Sequence, residues 1–552
     1  MIAENMKPLS RLFSMLKEDK TEIRNIYIFA VFSGLVGLGL PLGIQSIVNF
    51  IQMGRVSTSW IILVILVMAA IIVSGLLNIA QMRITENLQQ RIFVRSAFDF
   101  THRIPLLDTE ELTKKYAPEL PNRFFDTITV QKGLAKLILD FASASLQIVF
   151  GLILLSFYHS FFIFFGIALV LILGLVLKIT AERGFKSSIR ESNYKYKIVH
   201  WLQQIAYTRF SFKMAGTPSY LMYRTDNYLV EYLKSRNEHF KVLRQQYFYL
   251  IGFKAIIAFA LLTIGGLLVL NQTMNIGQFV AAEIIILLIL SSVEKIIVSL
   301  ETVYDLLTAV EKIGQVTDIP LEQESGMEIP ENETGFSINF DRVSYQNELN
   351  KELVLNHFDL YVNAGEKITI ASGNSVSANI LFCMIGKIYT AQSGNININN
   401  IPISNISHEF LRNRVGNMLH QDLLVNATLL ENISLGRDYV SFSEVQSVCE
   451  RLGLDHQIQQ LTNGYDSMLN PEGHFLPKDC IRKILIARAI VGQPKLVMLE
   501  EPLHDIHESE MNLVIELFLS MTQTTFLIHT EDKRLIDRMQ RHIVIEHGKN
   551  IQ

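Results

Sequence analysis

Two apolar, strand-like runs end in groups suited to proton or metal chemistry. Leu496-Val-Met-Leu-Glu-Glu501 closes on two carboxylates, and Phe526-Leu-Ile-His-Thr530 closes on an imidazole and a hydroxyl. A third run, Lys367-Ile-Thr-Ile370, leads into Ala-Ser-Gly-Asn-Ser-Val-Ser-Ala-Asn-Ile380. Strand, small-residue loop and helix is the layout in which backbone N–H groups wrap a phosphate. That chemistry asks for glycines so that the loop can curl, a lysine for charge, and a hydroxyl to hold Mg²⁺. Here the loop offers serines, carries β-branched Val376, and has no lysine between Ala371 and Ile380.

The elements that must position these groups belong to a chain of 552 residues, long enough for two or three domains. A net charge of −4 gives no sign of a nucleic-acid partner. Hydrophobic residues make up 49% of the chain, and the mean hydropathy is +0.27, as expected of a protein that is part membrane and part cytosol. Cys383, Cys449 and Cys480 lack zinc-site spacing, and three thiols cannot all pair, so reduced cytosolic thiols are expected. Lys7, Arg11, Lys17, Lys20 and Arg24 precede the first apolar run, a cytoplasmic lead-in rather than a cleavable signal.

Apolar stretches long enough to cross the hydrocarbon lie near 26–50, 59–82, 137–157, 161–181, 247–270 and 277–300. The connections 83–136 and 182–246 are long and rich in Lys and Arg, whereas the short ones contain only Arg55. Basic residues mark the cytoplasmic side, so both termini face the cytosol and the long connections form helical hairpins there. Lys254, Glu283, Glu294 and Lys295 are ionisable groups in or near the spans. Pairing of Glu283 with Lys254 is one reading; a cavity lined by Glu283 is another.

The apolar pattern stops after Thr317, and acidic residues, Pro and Gly follow as in a linker. The expected division is a membrane domain at 1–317, a linker at 318–335 and an α/β domain at 336–552. Strands are expected at Phe336–Phe340, Lys367–Ile370 and His542–Glu546.

In this order and spacing, the chain resembles an ATP-binding cassette exporter of the half-transporter type, similar to type I secretion and peptide exporters. Ile276-Gly-Gln-Phe-Val-Ala-Ala-Glu-Ile284 and Tyr116-Ala-Pro-Glu-Leu-Pro-Asn-Arg-Phe-Phe125 carry the likeness in the membrane domain. Gln421, Glu431-Asn-Ile-Ser-Leu-Gly-Arg437, Gly464-Tyr-Asp466 and Ile486-Ala-Arg-Ala489 carry it in the soluble one. The resemblance implies six spans of the type I exporter fold followed by a P-loop NTPase-like α/β cassette. It also implies ATP and Mg²⁺, Glu501 as catalytic base, His529 as switch histidine and Gln421 as nucleotide sensor and metal contact. Leader-peptide cleavage is not expected, since no peptidase domain precedes the first span.

Against that pattern the phosphate loop is degenerate. By register, the family lysine falls at Ala378, the metal-holding hydroxyl at Asn379 and its neighbour at Ile380, while the glycines become Ser372, Ser375 and Ser377. Asn347 stands where the adenine-stacking ring usually sits; Tyr345, two residues earlier, is either a core residue or a substitute for that ring. Glu500 takes the place of the acid that orients Mg²⁺. The signature motif becomes Leu476-Pro-Lys-Asp-Cys480, and His504-Asp-Ile-His507 replaces the usual next loop. Pro477 and Asp479 make a helix start in their own right, and the Asp479 carboxylate opposes a phosphate there. Losing the charge-assisted bonds costs about 4 kcal/mol or more, which takes a micromolar site to roughly millimolar.

The expectation is a half-transporter in a bacterial inner membrane that has lost ATPase activity and pairs with a related subunit. Alternatives are an active homodimeric exporter with an altered site, and a membrane adaptor that uses its cassette for protein contacts. Membrane lipid, a peptide or protein substrate and a periplasmic adaptor are the further partners the resemblance implies.

Overall fold

The structure, a computed structural model, describes residues 8–52, 58–112, 117–216, 218–322, 326–330, 334–347, 351–373, 375–419, 422–471 and 476–551. It divides into two compact units, Met1–Leu107 with Glu111–Leu321, and Asp108–Glu110 with Glu322–Gln552.

The first unit is helical. A lead-in helix, α1 (Pro8–Leu16), precedes α2 (Lys20–Gly37), α3 (Gly39–Gln52), α4 (Thr58–Arg103), α5 (Asp126–Ser156), α6 (Phe161–Tyr207), α7 (Pro218–Ala260), α8 (Ile276–Val298) and α9 (Leu300–Thr317). Among the described residues, six helical stretches are long and apolar enough to cross a membrane. Their outer faces are apolar: Ile61, Ile62, Ile65 and Leu66 on α4 and Phe164, Leu171 on α6 are all exposed. Backbone groups in hydrocarbon must be satisfied within the segment, which a helix does.

Inside this unit several polar residues of the spans are paired. Lys295 sits 3.0 Å from Asp140, and the Ser292 hydroxyl donates to Gln147 at 2.8 Å. Lys254 pairs with Glu294 and not with Glu283. The register of α7 against α8 decides this, because Glu283 lies eleven residues from Glu294, about 16 Å along a helix axis. The Ile276-Gly-Gln motif has a structural job. The Asn275 side chain accepts from the Gln278 N–H at 2.7 Å, and the Gln278 side chain accepts from the Asn275 N–H at 3.0 Å, a reciprocal cap that starts α8.

Where the long helices extend past the spans, Tyr304 on α9 is fully buried. Its hydroxyl accepts from Gln246 at 2.7 Å. A methyl group added at Gly184 on α6 would lie 2.3 Å from the Tyr304 ring.

Among the described residues the second unit holds two larger sheets and a two-stranded pair of Ala427–Thr428 with Met468–Leu469. The first has the order β2 (Leu353–Val362), β1 (Ile338–Gln346), β4 (Ser393–Ile398), β5 (Ile401–Pro402), with antiparallel pairing. The other contains β3 (Lys367–Ser372), β6 (Val415–Met418), β7 (Leu496–Glu500), β8 (Thr525–His529), β9 (Arg541–Glu546) and β10 (Lys549–Asn550). Its order is β10-β9-β3-β8-β7-β6, parallel apart from the β9–β10 edge. Every residue of β7 and β8 is buried, the mark of parallel strands covered on both faces. Helix α10 (Ser375–Ile385) follows β3; later come α11 (Leu429–Ser434), α12 (Lys478–Ile490) and α13 (Glu508–Ser520). Strand β1 begins at Ile338 rather than Phe336, whose N–H instead donates to the Lys495 carbonyl.

Replacing Gly184 by Ala should destabilise the full chain by about 1–3 kcal/mol through overpacking against Tyr304. Gly174→Ala, at a glycine with open space around it, should leave the thermal unfolding midpoint in detergent unchanged. Equal midpoints for the two variants would refute the packing assignment.

Candidate functional site

Parallel strands deliver side chains to a common edge at their carboxyl ends. Register pairs His529 with both Ile370 and Glu500, so the tips of β3, β8 and β7 bring Ser372, His529, Glu500 and Glu501 together. Ser372, Glu500 and His529 are all buried. Ser372 Oγ lies 3.5 Å from His529 Nε2, and His529 Nδ1 lies 4.0 Å from Glu500 Oε1. On the other side of Glu500, the Asn379 amide donates to Oε2 at 3.4 Å. His529 Nδ1 is buried with no hydrogen-bond partner among the described residues.

Glu501, the expected base position, adopts a left-handed backbone with φ of 45°, uncommon for a residue with a side chain. Its carboxylate is engaged by its own neighbourhood. Thr530 Oγ1 donates to Oε2 at 3.1 Å and the Glu531 N–H to Oε1 at 3.2 Å.

Ala378 is completely buried, and Ile380 packs into the core beside it. The Ser377 hydroxyl faces the Val354 carbonyl at 3.4 Å. Asn379 Oδ1 accepts from the Cys383 thiol at 3.5 Å. Tyr345 is buried, with its ring 5.7 Å from that of Tyr389. The Asn347 backbone closes a hairpin, its N–H donating to Glu352 and its carbonyl accepting from Lys351, each at 2.9 Å. Ser375 opens α10; its side chain and the whole of Gln421 lie outside the described residues.

A cassette of this kind implies ATP and, in general, Mg²⁺. The side chains present do not fit that pair. Mg²⁺ demands near-ideal octahedral oxygen ligands, whereas Asn379 turns its N–H toward Glu500 and gives its oxygen to Cys383. No cluster of three His, Cys, Asp or Glu suited to a metal occurs among the described residues. Ala378 presents only a buried methyl group.

Leu476-Pro-Lys-Asp-Cys480 leads into a helix. Pro477 is the N-cap of α12 and Asp479 lies in its first turn. Four residues on, fully buried Lys483 pairs with Glu510 of α13 at 2.6 Å. The Glu431-Asn-Ile run is also structural. Thr428 and Glu431 form a reciprocal cap on α11. Fully buried Asn432 accepts from the Val425 N–H at 2.7 Å and donates to the carbonyls of Val425, Ala427 and Thr428. Arg488 donates to the Asn432 carbonyl at 2.8 Å, its side-chain oxygen at 3.1 Å and the Leu423 carbonyl at 2.9 Å. Sequence reading missed this hub; an arginine inside the apolar helix Ile486-Ala-Arg-Ala489 was the available signal. Burial lowers the Arg488 pKa, partly countered by Asp422. Burial also pushes Cys383 and Cys480 up to about 11 and Cys449 to about 12, so all three remain protonated thiols near neutral pH.

With spans, sheets and site in place, the class follows: the chain has the architecture of an ATP-binding cassette exporter half-transporter. Residues 355–504 match the ABC transporter family. The chain is 25% identical over 288 residues to the alpha-hemolysin translocation ATP-binding protein HlyB of Escherichia coli O157:H7, covering 52% of this chain and 41% of that one. It is 25% identical over 281 residues to the ATP-dependent lipid A-core flippase of Legionella pneumophila (strain Paris), covering 51% and 47%. Both alignments thus span less than half of the curated relative's length. A bacterial Atm1-family ABC exporter solved with ATP bound superposes with a TM-score of 0.85 at 15% identity, over 97% of this chain and 94% of that one.

Asn432→Ala should cost about 3 kcal/mol, since it takes one acceptor from the buried Arg488 guanidinium as well as removing its own bonds to the 425–428 backbone. Thr428→Ala, which removes only a helix cap, should cost about 1 kcal/mol. Denaturant melts of the full chain check the order; a reversed order would contradict the hub.

Proposed function

We propose that the chain is a half-transporter subunit whose cassette does not hydrolyse ATP by itself and that works beside a related subunit. One observation carries this reading: beside the sealed Ala378, the Asn379 amide closes on Glu500 where a phosphate-bound cation would stand. Cassette pairs build each ATP site from one subunit's phosphate loop and the other's signature. Two copies of this chain would make two broken sites. A partner with intact motifs supplies a good phosphate loop facing Leu476-Pro-Lys-Asp-Cys480, and that composite site holds most of the nucleotide grip. Gln421, Glu501 and His529 then serve to pass on motion started by the partner.

The surrounding assignments follow the same reasoning. The basic connections support a cytoplasmic cassette, and the bacterial relatives favour a bacterial inner membrane. The likeness at 276–284 and 116–125 to secretion exporters points to a polypeptide cargo.

Reconstituted alone, the chain should show no Mg-dependent ATP hydrolysis above that of its Glu501→Gln variant. Co-expressed with a half-transporter that keeps its lysine, it should co-purify, and turnover should appear only in the mixture. Hydrolysis by the lone chain that disappears in Glu501→Gln would overturn the proposal.

A further inference from the structure

A second polar site lies within the helical unit. The cytoplasmic extensions of α6 and α9 meet the short 3-10 helix Ala117–Phe125 around a cavity of about 410 Å³, whose lining includes Glu119, Arg123, Arg190, Tyr196, Lys197 and Lys312. The Arg123 side chain is 11% exposed. Its guanidinium stacks 3.6 Å over the Tyr196 ring, and one of its terminal nitrogens donates to Glu119 at 3.0 Å. The other, Nη1, is buried with no hydrogen-bond partner among the described residues. Lys312 is 3% exposed, lies 5.5 Å from the same ring and donates to Asn193. An ammonium has three donors, and one of them is used there.

Charge in the cavity is unbalanced. Arg190 is neutralised by Glu238 at 2.8 Å, and Glu311 is taken by Arg11 at 3.1 Å. That leaves Arg123, Lys312 and Lys197 against Glu119 and Asp126, and Asp126 already accepts from the Tyr196 hydroxyl. Lys197, exposed at the rim, lies 4.7 Å over the Tyr194 ring and pairs with no carboxylate among the described residues. A buried N–H on a charged group left without an acceptor is costly. An oxyanion in the cavity would accept from Arg123 Nη1 and from the remaining donors of Lys312, and would offset the excess charge.

We propose that this cavity binds a small soluble oxyanion of carboxylate or phosphate chemistry, held by Arg123 and Lys312 with Lys197 at its entrance. Its depth excludes a lipid headgroup. Lys312 lies twelve residues beyond the end of the sixth span at Leu300, about 18 Å along the helix. The site is independent of the cassette and of whether the chain hydrolyses ATP.

Calorimetric titration of the full chain in lipid nanodiscs tests this, with potassium phosphate and potassium succinate as probes and potassium chloride at equal ionic strength as control. One of the two probes should bind saturably, one ion per chain, and the one that binds assigns the ligand chemistry. Arg123→Gln should weaken that binding roughly 10–100-fold, the loss of one charge-assisted bond. If Arg123→Gln fails to fold, the exposed Lys197→Glu serves in its place and should weaken binding several-fold with an unchanged gel-filtration profile. Chloride-like behaviour of both probes would overturn the proposal, as would binding that neither substitution alters. Nucleotide binding, read separately, leaves this result unaffected.

Discussion

A carboxylate at the tip of a buried parallel strand has to be answered by something, and the answer chosen here shapes the whole cassette. Glu500 ends β7 with little solvent around it. In a domain built to grip nucleotide, a cation and its phosphates would meet that charge. In this chain the Asn379 amide does so from the first turns of α10, and the His529 ring stands on the other side. The bond ties β7 to α10 using protein groups alone. It therefore braces the edge of the sheet without a ligand, at the expense of the space where a hydrated Mg²⁺ would coordinate.

The same logic explains why so much of the motif pattern survives around a lost centre. Asn275 and Gln278 start a helix, Thr428 and Glu431 start another, and Asn432 with Arg488 holds the backbone between Leu423 and Thr428. These residues satisfy buried backbone groups, and that need persists whether or not nucleotide is turned over. Glu501 and His529 differ in kind. One is held in a left-handed backbone, and the other keeps a buried nitrogen without a hydrogen-bond partner among the described residues.

The sequence made the architecture readable where a strong, local energy term dominates. Six apolar runs announce the membrane helices because hydrocarbon tolerates little else, and the basic long connections mark their cytoplasmic side. The lack of a lysine between Ala371 and Ile380 was equally plain. Pairings that depend on tertiary register were not readable. Lys254 meets Glu294 because of how two helices align, and the sequence left Glu283 as the candidate. Arg123, Tyr196 and Lys312 come from elements up to 189 positions apart, so no local window reveals their cavity. The Asn379–Glu500 bond was invisible for the same reason, although both residues had been singled out as altered metal positions.

The direct test of the central claim is the affinity of the full chain for Mg-ATP, measured by titration without any partner subunit. A dissociation constant of about 1 mM or weaker, insensitive to chelation of Mg²⁺, is the result this account predicts. Micromolar binding that is abolished when the metal is removed would contradict it, because Asn379 and Glu500 would then have to part and share a cation.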